Sequence, residues 1–330
     1  MKDFYKNKDI LITGGCGSIG SEIVKQLLKF NPKMIRIFDQ NEAAMFNVEE
    51  SLKDYKNVRY LIGNVRDKER LRRSIKRVNI VFHAAALKHV PLCEYNPYEA
   101  VQTNVIGTQN LIDVAKEENV EKVIAISTDK AVNPINTMGA SKLLSEKLIL
   151  AGRVGAQKTK FSCVRFGNVL NSSGSVIPIF LRQIKNGGPI TVTSGEMTRF
   201  FMSIKQAVNL VLKAAQITEG GEILILKMKS LRIIDLAEVM IEELAPRYGY
   251  KPSEIHIKMI GVRPGEKIHE LLINEEEAYH VLDKKEMYIL RPGFQVPHGV
   301  EKGVNSKLVN HRHLLTKKEI KEELIAEKVL

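Results

Sequence analysis

The chain has 330 residues, 44% of them apolar and 27% charged, with a formal net charge of +12 and a pI of about 9.4. That length supports a large core and two lobes, since single cores seldom grow past roughly 250–300 residues, and the composition excludes a disordered chain. Three scattered cysteines (Cys16, Cys93 and Cys163) argue against a disulfide frame or a zinc site and for free thiols in a reducing cytoplasm. No run approaches the ~20 apolar residues of a membrane helix, and no signal-peptide pattern precedes the first apolar run. Basic residues are spread among acids without interleaved aromatics, which argues against nucleic acid as a partner.

In chain order, Asp9 to Thr13 predicts a buried strand and Ser18 to Phe30 a helix. Strands are expected over Met34 to Asp39 and Val58 to Ile62, then a charged helix from Asp67 to Lys76. Ile80 to His83 reads as the fourth strand, Pro97 to Glu118 as one long helix, and Val123 to Ser127 as the fifth strand. Met138 to Ala151 is its helix, and Phe161 to Arg165 the sixth strand. Continuously apolar strands alternating with amphipathic segments predict a parallel sheet covered on both faces. After Arg165 the rhythm breaks at Gly167, Gly174, Gly187, Gly188 and Pro189. A helix from Ile204 to Gln216 and a strand from Glu222 to Leu226 are expected to rejoin the sheet, and a smaller lobe to carry a helix from Asp235 to Glu243. Thr316 and Glu319 form a capping box for a last helix. The expected division is residues 1–168 with about 204–227 in the first domain, and about 169–203 with 228–330 in the second.

Thr13-Gly14-Gly15-Cys16-Gly17-Ser18-Ile19-Gly20 joins the first strand to the first helix. Glycines there permit a tight turn and close backbone approach to a pyrophosphate at a helix N-terminus. Gly14, Gly17, Ser18, Ile19 and Gly20 are therefore the expected dinucleotide cradle. Asp39 ends the second strand and should accept hydrogen bonds from a ribose, which favours NAD over NADP, the alternative. Asn64 and Val65 follow the third strand, and Ala84, Ala85 and Ala86 the fourth, where small residues leave room for the cofactor.

These residues resemble the extended short-chain dehydrogenase/reductases. Within that class, the stretches 83–91, 127–134, 165–170, 174–178 and 263–267 are similar to those of the UDP-N-acetylglucosamine 4,6-dehydratases of the polysaccharide-biosynthesis group, in their short, soluble form. The resemblance implies a Rossmann-type doubly wound sheet with a second, smaller α/β substrate lobe. It also implies a cytoplasmic homo-oligomer without metal or membrane insertion, holding a recycled NAD and acting on UDP-N-acetylglucosamine. Asn104 in the N-V-x-G-T run and Lys142 are implied cofactor contacts. The superfamily usually carries Tyr where this chain has Met138, four residues before Lys142; one dehydratase branch has Met.

A 4,6-dehydratase oxidises C4, eliminates water across C5 and C6, and returns the hydride to C6. The resemblance gives Asp129 the acid role and Lys130 the base role in elimination, with inversion at C5. A lysine near its ordinary pKa of ~10.4 is a poor base at neutral pH, and an ion pair with its neighbour would hold it charged, so the two side chains are expected to point apart. Thr128 as a relay, Asp129 itself or a water could replace the missing tyrosine; Asp129 is favoured. Asn168, Arg199 and Arg263 are expected on the sugar phosphates, Glu266 on the uridine ribose, and Lys88 near the hexose. The competing readings are a UDP-N-acetylhexosamine 4-epimerase, which needs no acid–base pair for water loss, and a non-catalytic nucleotide-sugar-binding protein.

Overall fold

The computed structural model describes residues 1–170, 174–291, 304–310 and 313–330. Seven parallel strands run from one edge of a nine-stranded sheet: β1 Asp9–Thr13, β2 Met34–Asp39, β3 Val58–Ile62, β4 Ile80–His83, β5 Lys122–Thr128, β6 Lys160–Phe166 and, after three strands outside this sheet, β10 Ile223–Leu226. The intervening strands are β7 Asn168–Val169, β8 Ile190–Val192 and β9 Thr198–Met202; β11 Lys229–Arg232, β12 Ile257–Met259, β13 Val281–Asp283 and β14 Met287–Leu290 complete the set. The order across the large sheet is β13-β14-β10-β6-β5-β4-β1-β2-β3. It reverses between β1 and β4, and a doubly wound sheet opens a crevice at such a point, beyond the carboxyl ends of the strands.

Each strand folds as its apolar run dictates: Ile10, Leu11, Ile12, Val81 and Phe82 are fully buried, so helices must cover both faces. The helix Pro97–Ala100 does not run on uniformly to its end. Residues Val101–Ile106 wind as a π-helix before Gly107–Glu117 resumes the α-helix, turning Thr103 and Asn104 inward. Residues 281–290, expected in the smaller lobe, instead add β14 antiparallel to β10, and β13 antiparallel to β14. Their Val281, Met287, Tyr288 and Leu290 side chains are buried in the large core.

A second core lies among the helices Val176–Lys185, Ile233–Leu244 and Lys317–Ala326. The expected capping box opens the last of these: the Thr316 hydroxyl accepts from the Glu319 amide at 3.3 Å, and the Glu319 carboxylate accepts from the Thr316 amide at 2.9 Å. Between the two cores run a three-stranded sheet, β11-β9-β7, and the segment from Gly261 to Glu270.

Candidate active site

A cleft of about 730 Å³ opens over the carboxyl ends of β1, β2, β4, β5 and β6. Its cofactor side is built by close packing. Gly14 adopts φ +66°, and a Cβ there would meet the Ala85 nitrogen at 2.6 Å; a Cβ on Gly20 would meet the Gly14 carbonyl at 2.2 Å. Both positions therefore demand glycine. The helix Ser18–Leu28 starts with no side-chain cap, so its first turn presents backbone N–H groups to the cleft beside Ser18, Ile19 and Gly20. Asp39 lines the same space. Its carboxylate accepts from the Cys16 amide at 3.1 Å and the Asn41 amide at 3.0 Å, which fixes it at the rim with lone pairs to spare.

Beneath this floor His83 is fully sequestered, its Nδ1 2.7 Å from Thr13 Oγ1 and its Nε2 3.1 Å from Thr108 Oγ1. Burial, with Lys142 adding, pushes its pKa down to about 3, so the ring is neutral. Lys142 lies one turn beyond Met138 on the helix Thr137–Ala151, and its ammonium donates to the Ile126 carbonyl at 2.7 Å. Burial holds it below the ordinary lysine value, with Glu146 among the groups pulling the other way. Met138 borders the cleft and packs against Cys93 and Ala100.

At the end of β5 a single 3₁₀ turn, Asp129–Ala131, presents the acid and the amine. They do not point apart. The Lys130 ammonium donates to Asp129 Oδ1 at 3.0 Å and lies 3.2 Å from Glu270 Oε1. Burial alone would lower the Lys130 pKa, but Asp129 and Glu270 outweigh it, against Arg199, and hold it above the ordinary value. The expectation of separated side chains is thus corrected, because the tight turn brings both to one point. Asp129 is fully buried; Oδ1 also accepts from the Thr128 hydroxyl at 2.8 Å, while Oδ2 has no hydrogen-bond partner among the described residues.

Of the expected site residues, Gly14, Gly17, Ser18, Ile19, Gly20, Asp39, Asn64, Val65, Ala84, Ala85, Ala86, Lys88, Thr128, Lys130, Lys142 and Asn168 line the cleft together. Asn104 does not; it is buried under the floor, where its amide holds the Leu87 backbone in both directions (2.8 and 2.9 Å) and Ser141 Oγ at 2.9 Å. Arg199 is buried as well, with its guanidinium donating to the Thr198 and Ile268 carbonyls at 2.7 and 3.0 Å and 3.5 Å from Glu266. Arg263 is exposed on its loop, outside the lining. Arg199 and Glu266 therefore brace the segment 261–270, and none of these three residues borders the cleft. Sequence reasoning missed Glu270, Lys267, Ser127 and Ser175. Among the described residues, the Ser127 and Ser175 hydroxyls and the Asn168 side-chain amide oxygen are buried at the cleft without a partner, the condition expected of groups that bind a polar ligand. No periodic or glycine signal marks these residues; only the fold brings them together.

The strand order, the glycine turn and the lysine one helical turn past Met138 define a Rossmann-type protein of the extended short-chain dehydrogenase/reductase class. The chain belongs to the polysaccharide biosynthesis protein family, whose sequence model matches residues 10–292. It is 59% identical over 329 residues to the uncharacterized membrane protein MJ1061 of Methanocaldococcus jannaschii (98% of this chain, 97% of that one). It is 42% identical over 295 residues to the inverting UDP-N-acetylglucosamine 4,6-dehydratase of Campylobacter jejuni (88% and 85%), and 41% over 290 residues to a UDP-glucose 4-epimerase of Rickettsia rickettsii (86% and 83%). The X-ray structure of Pen from Bacillus thuringiensis superposes with a TM-score of 0.91 at 40% identity, covering 98% of both chains. Among the described residues no helix is long and apolar enough to cross a membrane.

Proposed function

We propose that this chain is a UDP-N-acetylglucosamine 4,6-dehydratase that inverts C5 and keeps one NAD bound through each cycle. The observation that carries the reading is the hydrogen-bonded Asp129–Lys130 pair beside the cleft, because elimination of water, unlike 4-epimerisation, needs an acid and a base at one point. The 42% identity to a dehydratase of that name supports it.

The residues fit a dinucleotide. The uncapped helix start at Ser18 suits a pyrophosphate, Asp39 suits a ribose without a 2′-phosphate, and the small side chains at 84–86 leave room between them. Lys142 would hold the nicotinamide ribose. Bound there, the cofactor supplies oxidation at C4 and the matching reduction at C6.

The chain's own residues do the rest. As an ion pair, Lys130 is no base and Asp129 no acid. Moving one proton along their 3.0 Å hydrogen bond makes a neutral amine and a neutral carboxylic acid together, with no change in total charge. The amine then removes the C5 proton, the C5–H electrons form the C5–C6 double bond, and the C6 hydroxyl leaves as water with the Asp129 proton. The pair is thereby returned to its charged form. Met138 carries no titratable proton, so the 4-hydroxyl proton passes by way of the Thr128 hydroxyl and the Asp129 carboxylate it donates to and on to solvent before elimination begins, which leaves the pair with its single proton. Lys88, Asn168 and Ser175 would face the sugar nucleotide. Residues 169–203, 228–280 and 313–330 form the proposed sugar-nucleotide lobe, and Leu92, Tyr95 and Tyr98, exposed on adjoining helices, fit burial in a cytoplasmic homo-oligomer.

The epimerase reading rests on the Rickettsia relative. Incubating pure protein with UDP-N-acetylglucosamine and following the product by NMR separates the two. A 6-deoxy-4-keto sugar with inverted C5 is expected; UDP-N-acetylgalactosamine alone would defeat the proposal. Asp129→Asn and Lys130→Met should each lower turnover by about 10²–10⁴-fold while remaining folded.

A further inference from the structure

Glu270 is absent from every motif in the sequence, yet it sits at the centre of the acid–base site. It is 6% exposed, on a segment whose backbone runs beside β9. One oxygen, Oε1, lies 3.2 Å from the Lys130 ammonium. The other, Oε2, has no hydrogen-bond partner among the described residues and lies 3.9 Å from Lys267 Nζ. Lys267 in turn donates to the Val132 carbonyl at 2.6 Å, which ties this segment to the turn carrying Asp129 and Lys130.

We propose that Glu270 is a positioning residue for the acid–base pair: its carboxylate holds the Lys130 ammonium between itself and Asp129, and so sets the pH range over which the pair keeps the single proton that elimination requires. The inference rests on the dehydratase reading and deepens it.

The argument starts from proton counting. The reactive pair, amine plus carboxylic acid, has the same number of protons as the resting ion pair. Activity therefore needs one proton on the two groups together. Two protons disable the base, and none disables the acid, so the rate should be bell-shaped in pH with limbs that belong to the pair. The alkaline limb is loss of the last proton, held chiefly on Lys130.

The charges facing Lys130 decide where that limb falls. Asp129 comes from its own turn, Arg199 from β9, and Lys267 and Glu270 from the segment that crosses above. Glu266 faces Arg199 at 3.5 Å and is one step removed. Lys142, on the neighbouring helix, is directed to the Ile126 carbonyl instead. Asp129 and Glu270 hold the proton on the amine, while Arg199 and Lys267 oppose them. Of the two carboxylates, Glu270 is the one that takes no part in the chemistry, so it can adjust the pair without being consumed by it. It also gives Lys130 a second anchor once Asp129 is protonated and its negative charge is gone. Without that anchor the amine loses the contact that keeps it beside the acid.

The test is the pH profile of kcat/KM with UDP-N-acetylglucosamine deuterated at C5, so that removal of the C5 hydron governs the observed rate. Glu270→Gln keeps the shape and removes the charge. Its alkaline limb should move to lower pH by about one unit or more, the shift that an opposite charge at such a distance produces. Lys267→Gln removes the opposing cation, and its alkaline limb should move to higher pH. Opposite displacements support the proposal, and a limb that stays in place in folded protein overturns it. Should Glu270→Gln fail to fold, the Lys267→Gln displacement decides alone. A wild-type protein that releases no 4-keto sugar would instead overturn the dehydratase reading, a failure distinct from an unmoved limb in an active enzyme.

Discussion

His83 shows how one side chain serves the site without entering it. Its two ring nitrogens bridge Thr13 at the end of β1 and Thr108 of the helix Gly107–Glu117, so it fastens the glycine turn to the layer below. Its folded pKa is depressed to about 3, below the unfolded value of ~6.5. Between those values the unfolded chain binds a proton that the folded one does not. The His83 contribution is therefore complete above pH ~6.5 and falls by about 1.4 kcal/mol per pH unit as the solution is acidified toward pH 3. Urea unfolding of wild type and His83→Gln from pH 5 to 8 should show a stability difference that is flat at the alkaline end and shrinks toward pH 5. Parallel curves would show that the ring does not titrate as described.

Met138 allows a second test at this scale. If the position takes no proton, Met138→Leu, close in volume, should keep turnover within about threefold and cost less than ~1.5 kcal/mol. A loss of 100-fold or more in the product assay would restore a chemical role to the thioether. The cofactor half of the site was legible because its signals are local: the glycine spacing, Asp39 at a strand end, and Lys142 one turn past Met138. The substrate half was not. Arg199 and Arg263 were expected on the sugar phosphates and Glu266 on the uridine ribose, but a motif does not say whether an arginine meets solvent, a ligand or, as Arg199 does here, the Thr198 and Ile268 carbonyls. Glu270 had no signal at all, since its meaning comes from Lys130, far away in the chain.

Elements hold these residues in place through their ends. Asn136 caps the helix Thr137–Ala151 by accepting from the Gly139 amide at 2.7 Å, and its Nδ2 donates to the Gly265 carbonyl at 2.7 Å. One side chain thus starts the helix bearing Lys142 and tethers the segment bearing Lys267 and Glu270. Asn136→Ala should cost about 1 kcal/mol for the cap and about another 1 kcal/mol for the tether, read as a lowered urea midpoint with an unchanged slope. At Gly139 a Cβ would meet the Lys130 carbonyl at 2.3 Å. Gly139→Ala should therefore displace the acid–base turn and reduce turnover more than it reduces stability; the reverse order would place the strain elsewhere. Capping boxes such as that of Thr316 were readable because the cap is a short-range pattern. The π-helical turn at Val101–Ile106 was not, because it follows from packing against the loop after β4. Nor was the helix Glu42–Leu52, which buries only Met45 and Leu52 and so shows little apolar periodicity.

At the scale of the molecule, the proposed acid–base site depends on holding the segment after β12 against the large sheet, and Arg165 is one of the residues that join them. It is fully buried on β6. Its guanidinium makes a two-pronged pair with Glu146 at 3.1 and 2.8 Å and another with Glu277 at 2.8 and 2.9 Å, and donates to the Leu272 carbonyl at 2.9 Å. Every donor direction is used for recognition of this geometry, which a lysine could not reproduce. Against the cost of its burial, the two carboxylates hold Arg165 charged, while Arg165 outweighs burial at Glu277 and keeps that carboxyl below its ordinary value. The Glu277 contribution is accordingly present above pH ~4.5 and fades as the solution is made more acidic. The network's net worth is small, because three charges leave water to form it, but removing one member strands the others. Arg165→Met leaves Glu146, 1% exposed, without the guanidinium that pairs with both of its oxygens. It should destabilise the fold by about 3–5 kcal/mol, whereas replacing Arg165, Glu146 and Glu277 together by apolar residues of similar volume should cost much less. Urea denaturation of the two variants measures the difference. If the single and triple replacements prove equally unstable, then the arginine contributes packing rather than charge, and the join between the sheet and the catalytic segment lies in the apolar contacts around Leu272 and Ile273.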